Sequence, residues 1–367
     1  DFFVNYFADK LLLSKTGRNV AYFYDSPSYT LDPYDEEVKQ WTLSVLREVA
    51  ENYDIDGIQL DYIRFPLPTY YSASNYEDFG YNDDITEAFM KWAGTKTDPT
   101  DMSITDALWD EWCEFRCGIV TSFVRQASAL ADEYALIFSC TSFASASDRS
   151  KYVFQDVGTW VSEGLIDELY PMIYSVDLAG QKKYGDETKS IVKDGCRLIL
   201  GIGTYDGETQ QVVKDQIYYA YTLGADGNSI FAFNYIPGFG FFETYSQEAY
   251  RAAAIRTDLY SDTFGAALTE LRDVIAGVYC YLYPDTQTDE LDAKIEAIID
   301  EYCDFDYESA TDAEKHAFCS ECIDELNELS VYAAGRSLPE SVGDDLQKRI
   351  ELIEGMMTRL MNVSRSE

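Results

Sequence analysis

Five times between residues 32 and 257, a stretch with apolar residues at helical spacing gives way to a short apolar run. That alternation is the strongest constraint on the fold. Helix followed by strand is the αβ half of a βαβ unit, and its repetition builds a parallel sheet covered by helices. The first instance reads DPYDEEVKQWTLSVLREVAENY, residues 32–53, followed by IDGIQLDYI. Asp32 suits an N-cap and Pro33 the first helical position. Val38, Trp41, Val45 and Val49 repeat at helical spacing, predicting one buried face. Helices are then predicted over 106–134, near 155–163, near 182–194 and over 208–224. They lead to strands ALIFSCTSF, DELYPMIYS, CRLILGIGTY and NSIFAFNYI, and a closing helix spans 245–257.

No GxGxxG follows the first strand and no GxxxxGK[ST] occurs, which removes the fingerprints of dinucleotide binding and the P-loop. The expected architecture is a (β/α)8 TIM barrel. Five strands do not close one. VAYFYDS (20–26) is a further strand or a hairpin in a loop, and two or three βα units are expected before residue 1, leaving the barrel N-terminally incomplete. Opening at DFFVNYF without a signal peptide, the chain reads as a mature fragment. From residue 258 the pattern turns acidic and helical, as in LDAKIEAIIDEY and LQKRIELIEGMMTRL. The expected domains are therefore a barrel over 1–257 and an all-α bundle over 258–367. The bundle reads as a packing or spacer module, or as one that binds a partner or a cell wall.

The net charge of −38 argues against nucleic acid or an anionic membrane as partner. No run reaches the roughly 20 apolar residues of a membrane span. The single histidine, His316, lies in the helical tail, so serine- and cysteine-nucleophile mechanisms lose their usual base. The eight cysteines show no disulfide framework. Cys303, His316, Cys319 and Cys322 allow a zinc site or ordinary thiols, and their spacing favours thiols. No metal or cofactor is expected.

Asp, Glu and Tyr then carry the acid–base chemistry. In GIQLDYIRFP, strand alternation sends Ile58 and Leu60 towards the helices, and Gln59 and Asp61 into the barrel, with Asp61 at the C-terminal rim. A buried carboxylate needs a reason. The pattern leaves two open, an ion pair with Arg64 or catalysis. Other strand ends add Tyr170, Tyr174 and Asp177, then Tyr205, Asp206 and Glu208, then Asn234 and Tyr235. Carboxylates and tyrosines at one rim suit glycoside hydrolysis, which uses two carboxyl groups. The 30 tyrosines are either filler or platforms for sugar C–H faces. Asp156 reads as an N-cap and Asp56 as a turn residue.

YDIDGIQLDYIRFP resembles the signature of the glycoside-hydrolase-like family 10 barrels, which read near YDVDGIHLDYIRYP. LDPYDEEVKQWTLSVLREVAENYDIDG, WVSEGLIDELYPMIYS, LILGIGTY and FAFNYI extend the likeness over about residues 10–257. The resemblance implies a (β/α)8 barrel acting on bacterial glycans, peptidoglycan strands among them, outside the cytoplasm. Through the amylase-type pattern DGxxxD it implies that Asp61 is the nucleophile or transition-state-stabilising carboxylate. Two departures stand out. Met172-Ile173-Tyr174 replaces Gln-Ile-Tyr, and no glutamate ends LIFSCTSF. Asp177 is the first candidate for the second carboxylate and Asp206 the next. Gln59, Tyr62, Arg64, Tyr170, Tyr174, Tyr205, Asn234 and Tyr235 are the expected substrate-binding residues. The expected function is a glycosidase acting on an oligo- or polysaccharide, the alternative a non-catalytic glycan-binding protein.

Overall fold

The computed structural model describes residues 7–23, 29–72, 75–192, 195–205, 208–236, 240–245, 260–279, 289–302, 305–306, 309–335, 338 and 340–363. Helix α1 spans Glu36–Asn52 and starts later than the sequence suggests. Asp35, not Asp32, is its N-cap, accepting the Val38 N–H at 3.0 Å. Asp32 caps a turn instead, taking the Tyr34 N–H at 2.8 Å, and is buried. The buried face of α1 also differs from the predicted one: Trp41 and Val45 are exposed, while Leu43 and Leu46 pack on the core.

Strands β1 (Gly57–Leu60), β4 (Ile137–Phe143), β5 (Glu168–Met172), β6 (Arg197–Gly203) and β7 (Gly227–Phe231) form one sheet in that order, all parallel. Strands β2 (Tyr70–Ser72) and β3 (Asn75–Glu77) form a separate antiparallel hairpin. Val20–Tyr22, a strand candidate, is a 3-10 turn. Helices α2 (Asp83–Ala93), α3 (Trp109–Glu133), α4 (Val157–Ser162), α5 (Leu178–Lys189) and α6 (Gln210–Thr222) complete the α/β unit. Gly94, left-handed at φ 63°, stops α2.

Register divides the sheet into two faces. Phe138, Cys140, Leu169 and, partly buried, Leu60 lie in one apolar core with Phe123 and Trp160. Leu198 and Leu200 pack with Tyr219 and Ala220 of α6, and Ile202 and Ile230 with Val213 and Ile217. The opposite, open face carries Gln59, Ser139, Thr141, Tyr170, Gly201, Gly203 and Phe231. At its lower end Arg197 pairs with Glu168 at 2.7 Å.

The loop after β1 is anchored by a fully buried ion pair between Arg116 of α3 and Asp78. The guanidinium also donates to Phe79 O at 2.9 Å and lies 3.8 Å from the Phe154 ring centre and 4.5 Å from that of Trp112. Tyr81 donates to the other Asp78 oxygen at 2.7 Å. A buried pair persists only with such extra partners, because two desolvated charges seldom break even alone.

The chain divides into two compact units, Asp1–Ala249 and Tyr250–Glu367. The boundary expected at 257/258 falls outside the described residues. The second unit holds α7 (Tyr260–Asp273), α8 (Asp289–Tyr302), α9 (Asp312–Ala334) and α10 (Glu340–Val363). Thr311 and Glu314 form a capping box at the start of α9. Leu268, Ile295, Leu326, Leu346 and Ile350 fill its core, and Cys319 and Cys322 are buried among them. Among the described residues no three His, Cys, Asp or Glu are grouped for a metal, and no helix is long and apolar enough to cross a membrane. Cys280 and Cys303 lie outside the described residues.

Burial pushes the Asp32 carboxyl up to about 7, with Asp84 and Asp35 adding repulsion and the Tyr34 N–H opposing. Its unfolded value is near 4. Between those values the folded chain holds a proton that the unfolded chain has lost, so this contribution to stability is lost as pH rises through the window. Asp32→Asn should therefore stabilise the first unit at pH 8 by at least about 1 kcal/mol and converge on the wild type near pH 4. Urea unfolding followed by tryptophan fluorescence checks this, since Trp41, Trp92, Trp109, Trp112 and Trp160 are the five tryptophans and all precede residue 250. An equal pH profile in both proteins would contradict it.

Candidate functional site

Asp61 directly follows β1, on the open-face parity and exposed to solvent. Its Oδ1 accepts the Tyr62 N–H and the Thr141 hydroxyl, both at 2.8 Å. Thr141 is on β4, beside the position that Asp61 reaches by continuing the β1 register. The backbone turns sharply here. Tyr62 is left-handed at φ 55°, a region costly for a residue with a side chain and enriched at functional sites. Its ring is exposed.

An ion pair with Arg64 is one of the two reasons that the sequence leaves open for Asp61, and in the structure Arg64 packs against aromatic rings. The Arg64 guanidinium lies 4.5 Å from the Tyr62 ring centre and 5.0 Å from that of Phe143, and it donates to Phe65 O at 3.1 Å. The cation lies over rings whose π-faces attract it. Phe65, fully buried, pins the turn from below: its N–H bonds Val153 O at 3.1 Å, and its ring stands edge-on to Phe154. Buried Gln155 ties the same turn to β4, donating to Ile63 O at 3.2 Å and Thr141 O at 3.1 Å while accepting the Phe143 N–H at 2.9 Å.

Tyr174, just past β5, senses the charge of this carboxylate. Burial, with the charge of Asp61 adding to it, pushes its hydroxyl up to about 12. Its ring stacks on Phe231 at 5.1 Å and stands edge-on to Tyr205 at 5.9 Å. Tyr205 also meets Phe231 and Tyr235, each at 5.8 Å. Two glycines make room. A Cβ on Gly201 would come within 3.2 Å of the Tyr174 ring, and one on Gly203 within 3.2 Å of the Tyr174 Cβ and 2.8 Å of Glu208 Oε1. The buried Glu208 carboxylate therefore lies over the open face of Gly203, beside Tyr174.

The remaining sequence candidates fall in different places. Asp177 accepts the Gly180 N–H at 2.7 Å and is the N-cap of α5, so the first-choice second carboxylate has a structural task. Asp206 lies outside the described residues. Tyr170 turns back from the rim, donating to Glu168 Oε2 at 2.8 Å. Gln59 is exposed on the open face, and Asn234 and Tyr235 are exposed in the turn after β7. Asp156 caps α4 as expected, taking the Thr159 N–H at 3.1 Å. Thr141, Phe231, Phe233 and Phe242 are not among the sequence candidates. Glu208 enters the sequence reading only as a strand-end neighbour of Tyr205, without a role. It sits in a loop where no periodicity marks which way a side chain points.

A profile of the family described as Glycosyl hydrolase-like 10 matches residues 14–218, a span that includes Asp61, Thr141, Tyr174 and Glu208. A curated protein named Glycosyl hydrolase DigH, from Escherichia coli O6:H1, is 26% identical over 195 residues, covering 51% of this chain and 42% of that protein. Its namesake in Escherichia coli K12 is 25% identical over the same shares. The chain thus spans less than half the length of the curated relatives it matches. Among solved structures, the PgaB (BpsB) glycoside hydrolase domain from Bordetella bronchiseptica aligns over 62% of this chain and 66% of that one, at 12% identity and a TM-score of 0.47.

The electrostatic contact within the site can be measured directly. Asp61→Asn removes a like charge, so it should lower the Tyr174 pKa from about 12. Phe231→Ala, which opens the stack to water, should lower it further, because burial is the larger cause. Titration followed by NMR of ring-labelled tyrosine reads both. No change in Asp61→Asn would show that the two groups do not sense one another.

Proposed function

This chain belongs to the glycosyl hydrolase-like 10 family, and on that premise we propose that its first unit is a glycoside hydrolase with Asp61 as its central carboxylate. The five parallel strands are read as part of a (β/α)8 barrel, whose active sites lie where the strands end. The observation that carries the proposal is the placement of Asp61: a solvent-reached carboxylate at such a strand end, on the side opposite the apolar core, in a sheet whose neighbouring strand ends carry stacked aromatic rings.

Glycoside hydrolysis passes through an oxocarbenium-like transition state flanked by two carboxyl groups. Asp61 takes the role of nucleophile or of the anion that stabilises the developing positive charge. The Thr141 hydroxyl and the Tyr62 N–H fix its orientation, so little reorganisation is needed as charge develops. The second carboxylate is assigned to Glu208, which lies over Gly203 beside Tyr174. It would deliver the proton to the leaving oxygen. Asp177 and Asp206 remain the alternatives, Asp177 less favoured because of its cap. The substrate is an oligo- or polysaccharide, with bacterial cell-wall glycan as the first class to test, and the site of action is extracytoplasmic.

A second reading, a glycan-binding protein without turnover, draws on the end of β4. There Phe143 and Arg64 pack together where amylase-type enzymes keep a glutamate.

Both readings meet the same experiment. The chain is incubated with purified peptidoglycan, glycol chitin, xylan and a mixed-linkage β-glucan, and reducing ends are counted. Asp61→Asn should abolish release, and Glu208→Gln should reduce it on the order of 100- to 10,000-fold, with unfolding midpoints unchanged. Undiminished turnover in Asp61→Asn would refute the catalytic assignment. Calorimetric binding of a glycan without any product would favour the second reading.

A further inference from the structure

Beyond Tyr174 the rim carries more exposed aromatic surface than one sugar ring needs. Tyr205 is 39% exposed, Phe231 47%, Phe233 72%, Tyr235 37% and Phe242 49%. These rings form two contact groups joined along the chain by the turn 233–235. Phe231 stacks on Tyr174, Tyr205 touches Phe231 and Tyr235, and Phe233 meets Phe242 at 5.8 Å. Phe231 ends β7, Phe233 and Tyr235 lie in the turn behind it, and Phe242 lies in a single helical turn over Phe241–Thr244. Phe241 beneath is fully buried and Ile236 nearly so, so a packed floor holds the exposed rings in place. Four of these five residues lie past residue 218, outside the span matched by the family profile.

Phenylalanine carries no group that gains from water, and each exposed ring forgoes roughly 25 cal/mol per Å² of burial. Two such groups of rings on neighbouring segments, next to polar groups, mark a ligand surface. Pyranose rings offer a C–H face for stacking and hydroxyls at their edge for hydrogen bonds. Phe231, Phe233 and Phe242 supply faces, while Tyr205 and Tyr235 add hydroxyls. The first group begins at Tyr174, which follows β5 as Asp61 follows β1 in the same parallel sheet, so a strand entering the mouth there continues onto it. On the other flank of Asp61, the exposed Tyr62 ring already has the Arg64 guanidinium over it.

Resting on the reading of Asp61 as a glycosidase carboxylate, we infer that the substrate is a polymeric glycan strand, several of whose sugar units lie along the Tyr205–Phe242 shelf on the β6–β7 side of the mouth. The shelf gives length selectivity. Long strands gain its contacts and short oligosaccharides do not.

The test uses the full chain and the polymer best cleaved of glycol chitin, purified peptidoglycan, xylan and mixed-linkage β-glucan, together with the shortest oligosaccharide of that polymer still cleaved. The double variant Phe233→Ala/Phe242→Ala changes exposed side chains and leaves Asp61 and Glu208 in place. It should raise KM on the polymer about tenfold, as one or two lost ring contacts would, with kcat and turnover of the short oligosaccharide unchanged. In the Asp61→Asn background, affinity electrophoresis through the same polymers should show retardation that the double variant abolishes. That arm reads the shelf even if Asp61 proves not to be catalytic. Equal loss on long and short substrates, no loss on either, or no retardation of any variant by any of the four polymers would overturn the inference. So would a change in sedimentation coefficient without a change in polymer binding, which would identify the shelf as a contact between copies of the chain.

Discussion

The site depends on the alternation of side chains along one strand. In β1 the residue before Asp61 packs into the helix-covered core, so the carboxylate itself points the other way. Register carries this choice across the sheet. Cys140, Leu169 and Leu198 continue the buried side, while Thr141, Tyr170 and Gly201 continue the open one. A slip of one residue would exchange the two sets and place Asp61 under the helices, where an unpaired carboxylate is prohibitive. The hydrophobic core thus specifies the orientation of the site without contributing a single atom to it.

Alternation decides direction but not position, and polar anchors supply position. The left-handed Tyr62 persists because its neighbours determine it from several sides. Phe65 is locked below it, Gln155 clamps Ile63 to β4, and the Arg116–Asp78 pair holds the loop beyond. Gly201 and Gly203 act by what they omit, letting Tyr174 and Glu208 lie against bare backbone. A rim built this way positions groups from four different strand ends with few degrees of freedom, as catalysis by preorganised charge requires.

Much of this is legible in the sequence, and the gaps have physical reasons. The repeated helix–strand period yields the parallel sheet, and the parity of GIQLD yields the side on which Asp61 stands. The start of α1 is misplaced by sequence because Asp32 and Asp35 are equally good caps locally, and only burial separates them. Trp41 and Val45 read as core because helical spacing shows that a face exists but not how far it is rotated. Asp177 reads as a rim carboxylate for the same reason that it caps α5. Both roles need an acid just past a strand and just before a helix. Glu208 lies in the stretch GIGTYDGE but in a loop, where neither period 2 nor period 3.6 assigns a direction. The glycines of LILGIGTY read only as part of a strand, although a Cβ there would come within 2.6 Å of Pro171 O at Gly201 and 2.8 Å of Glu208 Oε1 at Gly203. The Arg64–Asp61 pair is one of two readings that charge leaves open, and charge alone does not show the flat rings over which the guanidinium lies.

The most direct measurement is a structure of the Asp61→Asn variant with an oligosaccharide of the polymer that the chain binds best. A sugar ring is expected in the mouth between the substituted side chain and Tyr174, hydrogen-bonded to the new amide. A glycan bound elsewhere on the molecule, with the space over the substituted position and Thr141 left to solvent, would contradict it.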